Sequence, residues 1–230
     1  MKKLFLVANW KSNKSVGDAH SFLREFLNHE FITWYHTQRE TKRVIICPPT
    51  ILLPELARMI EKSEAQTPIF LGGQDVSPFS EGPHTGEIAA SQLAEFANYV
   101  IVGHSERRLE LQETDELIAT KVKEARRFGL EPIVCVQGKD TPVPDGVHIL
   151  AYEPLDAIST AGVGKPLDPA SANEVAHFFK HEKHIPYVLY GGSVDPTNVH
   201  SYTSQEDIDG VLVGGKSLDP HAFAAIVKNS

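Results

Sequence analysis

The sequence predicts a closed (β/α)8 barrel. Three observations carry that reading: eight short apolar runs recur along the chain, all but one is followed by a helical pattern, and 230 residues suit one barrel better than two domains. The runs are continuously apolar instead of alternating, as strands covered on both faces of a parallel sheet must be. An open doubly wound sheet is the lesser alternative.

In order, Leu4 to Asn9 is the first strand, with a helical pattern over 16–29. Arg43 to Cys47 precedes a pattern over 50–62, and Ile69 to Gln74 precedes a long polar loop and then 90–97. Tyr99 to Gly103 leads to 114–128. Leu130 to Val136 is followed only by Gly138 to Gly146, which carries Pro142 and Pro144 and is too short and too proline-rich for a helix. The fifth outer helix is therefore expected to be missing. Val147 to Tyr152 precedes 168–182, Pro186 to Tyr190 precedes 195–203, and Asp209 to Val213 precedes 219–228. No repeat or linker divides the chain, so residues 1–230 are read as one barrel domain.

Twenty-two Lys and Arg against thirty Asp and Glu leave a net charge of −8. That balance offers no broad basic surface, so neither nucleic acid nor an anionic membrane is an expected partner. An anionic ligand must meet local positive charge. No run of about eighteen apolar residues occurs, and the N-terminal apolar stretch lacks a small-residue cleavage site. Only Cys47 and Cys135 are present, too few for a disulfide framework, which points to a reducing compartment, the cytoplasm.

Chemistry in a parallel barrel sits at the carboxyl ends of its strands. The first ends in Asn9-Trp10-Lys11, where an ammonium must be solvated, paired or facing an anion. The fourth ends in Gly103-His104-Ser105-Glu106-Arg107-Arg108. A helical turn from Ser105 would keep His104 neutral beside its amino end, Glu106 can hold Lys11 across the mouth, and the two arginines can pair with nearby carboxylates. The sixth ends in Tyr152-Glu153-Pro154, a candidate general base whose pKa a closing loop would raise. The seventh and eighth end in Gly191-Gly192-Ser193 and Gly214-Gly215-Lys216, whose main-chain N–H groups can cradle an anion.

Together, Asn9-Trp10-Lys11, Gly103 to Arg108, Ala151-Tyr152-Glu153-Pro154, Tyr190 to Ser193 and Asp209 to Gly215 resemble the signature segments of the triosephosphate isomerase family, in family order. The resemblance covers nearly the whole chain. It implies a TIM barrel that interconverts dihydroxyacetone phosphate and D-glyceraldehyde 3-phosphate through an enediol or enediolate, without cofactor or metal. It further implies Glu153 as base, neutral His104 as electrophile, Lys11 and Asn9 on the substrate oxygens, and Glu106 in a positioning role. Ser193, Gly214 and Gly215 would hold the phosphate. The loop Gln74 to Glu87 resembles the family's dimer loop, with Thr85 at its tip. A homodimer is expected, or a tetramer if the short fifth crossover leaves apolar surface uncovered.

Two features depart from the family. The fifth crossover is shortened, and the lid, Leu155 to Pro166, has Asp156 in an aromatic place and two or three inserted residues. Ser159 or Gly162 would supply the lid N–H to the phosphate, with Ser159 favoured, and Ile158 would cover the base. A phosphate-binding barrel with weak or lost isomerase activity, or an isomerase of a larger sugar phosphate, are the competing readings. Cys135 reads as a core residue. His177, His181 and His184 share one helical face, read as a solvated surface in preference to a metal site.

Overall fold

Along β1 (Leu4–Asn9) successive side chains leave the strand on opposite sides. Phe5 and Val7 join one apolar cluster, drawn from strands around the whole barrel, while Leu6 and Ala8 join a second cluster shared with the helices. This alternation repeats in β2 (Lys42–Cys47), β4 (Tyr99–Val102), β5 (Glu131–Val136), β6 (Ile149–Tyr152), β7 (Tyr187–Tyr190) and β8 (Gly210–Val213); β3 (Phe70–Gly73) completes the set. Every neighbour pair is parallel, and β8 pairs back onto β1 with Phe5 opposite Gly210, so the sheet closes as β1 through β8 in sequence order. The computed structural model describes residues 2–63, 69–155 and 166–230.

Side-chain caps start most of the outer helices. Ser15 and Asp18 form a reciprocal capping box at α1 (Val16–Phe26), and Asn28 caps α2 (His29–Gln38). After a 3-10 turn at Thr50–Leu52 comes α3 (Leu53–Lys62), then α4 (Ala90–Ala94) and α5 (Ser105–Glu110). Thr114 caps α6 (Asp115–Arg127), Asp168 caps α7 (Pro169–His181), and Asp219 caps α9 (Pro220–Asn229). Between these last two lies α8 (Val199–Thr203).

The strands match the sequence expectation to within about two residues at their ends. The helices differ in three places. The first stops at Phe26, and a second helix, α2, follows where none was expected. The 195–203 pattern is helical only from Val199, because the Asp195 carboxylate accepts the N–H groups of Thr197 and Asn198 and holds Asp195 to Asn198 as a turn. The 90–97 pattern ends as α4 at Ala94.

No helix lies between β5 and β6, as expected. Thr141 Oγ1 accepts the N–H groups of Gln137 and Gly138 and folds the loop back at the strand end. Half-buried Val143 packs against the core there, and the outward-facing Val134, Val136 and Leu150 are all fully buried. The condition attached to a tetramer, an uncovered fifth crossover, is therefore not met by these strands. No helix among the described residues is long and apolar enough to cross a membrane.

Candidate active site

Three strand ends bring the expected chemistry to one mouth. Lys11, just past β1, has φ of 51°, a left-handed conformation that costs a non-glycine residue about 1–3 kcal/mol. It is held there from two sides: its N–H donates to Asn9 Oδ1 at 3.0 Å, and Gln74 Nε2 donates to its carbonyl at 2.9 Å. The ammonium meets Glu106 Oε1 at 2.5 Å across the mouth. Glu106 thus holds Lys11 as the sequence suggested.

His104 is the residue that starts α5. Its Nδ1 accepts the N–H of Glu106 at 3.2 Å, which leaves Nε2 to carry the proton of a neutral ring. Nε2 lies 3.0 Å from Glu153 Oε1, and the other carboxylate oxygen accepts the N–H of Ser105 at 3.0 Å. Cys135 is fully buried, as its core reading requires, and burial first and the Glu153 carboxylate second push its thiol upward. Glu153 is 2 % exposed.

Burial opposes the charged form of Glu153, but the imidazole of His104 and the Ser105 N–H outweigh it and hold the carboxyl below its ordinary 4.5. The closing loop on which a raised pKa was expected lies outside the described residues, and within them the contact with His104 sets the direction. Burial likewise opposes charge on His104, and the carboxylates of Glu153 and Glu106 more than offset it, raising the ring above its ordinary 6.5. Substrate bound between them would separate the pair and remove the larger of those pulls.

Asn9, Lys11, His104 and Glu153 line a cavity of about 440 Å³ together with Ser193, Gly214, Gly215 and Lys216. Gly191 and Gly192 make room for it. A Cβ at Gly191 would lie 2.8 Å from Glu153 Cγ, and one at Gly192 would lie 2.2 Å from the Tyr190 hydroxyl. That hydroxyl accepts the N–H of Leu167 at 3.0 Å, and Tyr202 donates to the Leu167 carbonyl at 2.6 Å, so two stacked tyrosines grip the chain where it leaves residues 156–165. Ser159, Ile158 and Gly162 lie outside the described residues, as does Asp156. Arg107 pairs with Asp75 and Glu113, and Arg108 with Asp115, as expected of the two arginines.

Sequence reasoning missed the support behind these groups. Gln74 bridges the Lys11 and Cys47 carbonyls, and the buried ammonium of Lys121 joins Asp75 and Glu113 to Arg107. The position of Gln74 at a strand end was a usable signal; Lys121 lies in a helical pattern and gave none.

A buried carboxylate, an imidazole and an ammonium around one cavity at the carboxyl end of a parallel barrel define an enzyme of the acid–base class. A family model described as triosephosphate isomerase matches residues 4–146 and 140–230. The two matched stretches meet at 140–146, inside the crossover that lacks a helix. The triosephosphate isomerases of Dictyoglomus thermophilum and Nostoc punctiforme are 36 % and 35 % identical to the chain, covering 100 % of both chains in the first case and 99 % and 98 % in the second. The crystal structure of triosephosphate isomerase from Bartonella henselae superimposes with a TM-score of 0.78 at 29 % identity, covering 99 % of this chain and all of that one. The chain belongs to the triosephosphate isomerase family, and it is an isomerase.

Proposed function

We propose that Glu153 is the base of this isomerase, His104 its electrophile and Lys11 the cation that stabilises developing negative charge. The reaction is the interconversion of dihydroxyacetone phosphate and D-glyceraldehyde 3-phosphate. Glu153 removes a proton from the carbon beside the carbonyl, and His104 Nε2 hydrogen-bonds the substrate oxygens and moves the proton between them. Asn9 fixes the turn that aims Lys11, and Glu106 holds both the ammonium and the ring in place. Ser193, Gly214, Gly215 and Ser159 take the phosphate. Binding energy from that remote group is then available to orient the reacting carbons. The single observation that carries this reading is the contact of Glu153 with His104 at 3.0 Å inside the cavity that Lys11 and the glycine turns also line.

The test is a coupled assay in both directions. Glu153→Gln is expected to lose turnover by at least a thousandfold, roughly 4 kcal/mol of barrier, while still binding inorganic phosphate. Near-normal turnover would remove Glu153 from the base role.

The same reading makes the chain a cytoplasmic homodimer of one barrel domain. Both cysteines are free and buried, which suits a reducing compartment. The Gln74 to Glu87 loop is shaped in advance: the Ser77 N–H donates to the Ile88 carbonyl, Phe79 stacks on His84 at 4.2 Å, and Thr85 stands exposed beyond them. A second cavity of about 210 Å³ beside Lys11, lined by Gln74, Glu106 and Leu111, suits the tip of a partner's loop. Light scattering checks the state; a mass equal to one chain at micromolar concentration would reject the dimer.

A further inference from the structure

At the end of the barrel away from this cavity, the last turns of α7 and the turn before β8 bring two imidazoles onto one carboxylate. His177 Nδ1 is 2.9 Å from Asp207 Oδ2, and His181 Nε2 is 3.1 Å from Asp207 Oδ1. One ligating atom from each residue falls within 4.8 Å of the other two, and the two ring centroids are 4.2 Å apart. Their spacing of four residues stacks both rings on one face of α7. His184 of the same sequence pattern lies beyond the helix end, with φ of 56°, and takes no part. In its place stands Asp207, which the spacing of histidines alone could not reveal.

The carboxylate is short of positive charge. Asp207 is only 4 % exposed, yet among the described residues no Lys or Arg lies within ion-pairing distance of it. The nearby Lys180 is committed to Asp209 at 3.0 Å, and Lys2 donates to the carbonyls of Thr203 and Gln205. The Asp207 backbone is itself fixed to α7, its N–H donating to Asn173 Oδ1 at 3.0 Å. Both imidazoles, by contrast, are more than half exposed, so the group is open to solvent on the ring side.

We propose that His177, His181 and Asp207 form a binding site for a divalent transition-metal ion of the zinc class. Two imidazole nitrogens and one carboxylate are a known ligand set for zinc, with water completing a tetrahedron on the open side. Bonds of about 2.0–2.1 Å put tetrahedral ligand atoms roughly 3.3 Å apart; the 2.9 and 3.1 Å separations run to different oxygens of Asp207 and one ligating atom from each residue lies within 4.8 Å of the others, so rotation of the exposed rings has to gather them on one centre. Magnesium and calcium, which require mostly oxygen ligands, do not suit the set. On binding, a neutral ring moves its proton from the nitrogen that faces Asp207 to the one facing water, and no redox change occurs. The ion ties the end of α7 to the turn that enters β8, so its effect is on stability and not on the proton transfers at the other end.

The test uses the full chain, stripped with a chelator and dialysed, and titrated with zinc chloride by calorimetry and thermal unfolding. One zinc per chain is expected, with the unfolding midpoint raised by roughly 5 °C at a hundredfold excess over Kd. The double variant His177→Ala, His181→Ala should lose that site and that shift and keep its isomerase rate. His177→Gln, His181→Gln, which preserves hydrogen bonding to Asp207, serves the same purpose if the alanine form does not fold. Cobalt should give the intense visible absorption of a four-coordinate site in the parent protein and not in either variant. The same zinc stoichiometry and shift in the variants, no shift in the parent, or an equal shift with magnesium would each overturn the proposal.

Discussion

His104 Nε2 and Glu153 Oε1 lie 3.0 Å apart at the barrel mouth, so the imidazole and the carboxylate hold each other as a couple. Because each perturbs the other, the pair has a signature in the pH dependence of stability. Glu153 sits below its ordinary 4.5, so its contribution is present above that value and is lost as pH falls through the lower folded pKa. His104 sits above its ordinary 6.5, so its contribution is complete below that value and is lost as pH rises through the higher folded pKa.

The stabilisation is therefore greatest between the two ordinary values. The difference in unfolding midpoint between the parent chain and Glu153→Gln, followed from about pH 4 to about pH 9, should peak near pH 5–6 and shrink on both sides. A difference that grows steadily toward alkaline pH would contradict the coupling.

Gly191→Ala tests how closely Glu153 is placed. The new Cβ would lie 2.8 Å from Glu153 Cγ and 3.2 Å from the Tyr152 carbonyl, and the second contact is with backbone that cannot yield cheaply. A displacement of the carboxylate of about 1 Å should lower kcat on the order of a hundredfold while KM changes little. Steady-state kinetics decides; an unchanged kcat would mean the carboxylate tolerates the shift.

Lys216→Ala tests the charge at the phosphate end. The chain carries a net charge of −8, and of the two lysines lining the cavity Lys11 is already paired with Glu106. Lys216 makes no ion pair among the described residues, and its charge acts weakly on Asp195, whose pKa is lowered first by the Thr197 hydroxyl and to a smaller degree by Lys216. Removing it should raise KM and the inhibition constant of inorganic phosphate together, by about threefold to tenfold, with kcat nearly constant and the effect fading at high salt. Equal constants at low salt would make Lys216 a bystander.

What the sequence disclosed follows from the range of each interaction. Strand ends and the residues just beyond them were readable, because continuous apolar runs mark strands and Lys11, His104 and Glu153 each stand within two residues of one. The helix α2 was not, although Asn28 is a usable cap, because HEFITWYHTQ is rich in aromatic and β-branched residues that weaken a helical reading, and its burial rests on Phe31 and Tyr35 finding α1 and β2. Apart from Glu106 on Lys11, the contacts that tie groups across the chain were not read, for the same reason. Gln74 on Lys11 and Asp207 on two histidines join residues 26 to 63 positions apart.

Lys121 is the strongest instance and supplies the last prediction. Its side chain is 4 % exposed, and its ammonium meets Glu113 at 2.5 Å and Asp75 at 2.7 Å, while Arg107 closes the group from α5 at 2.6 Å from Asp75 and 2.8 Å from Glu113. The carboxylate of Glu113 is itself only 3 % exposed. Burial drives Asp75 upward, and Lys121 and then Arg107 pull against it, so this carboxylate is already above its ordinary 3.8 and depends on its cations. Lys121→Met keeps the stem of the side chain and deletes the charge. It should cost about 3–5 kcal/mol, because a buried pair broken on one side leaves carboxylates in low dielectric without their partner. Lys121→Met combined with Glu113→Gln and Asp75→Asn removes the stranded charges as well and should recover much of the loss. Denaturant unfolding of the single and triple variants separates the two terms. A triple variant no more stable than the single one would show that stranded carboxylates are not what the loss of the Lys121 ammonium costs.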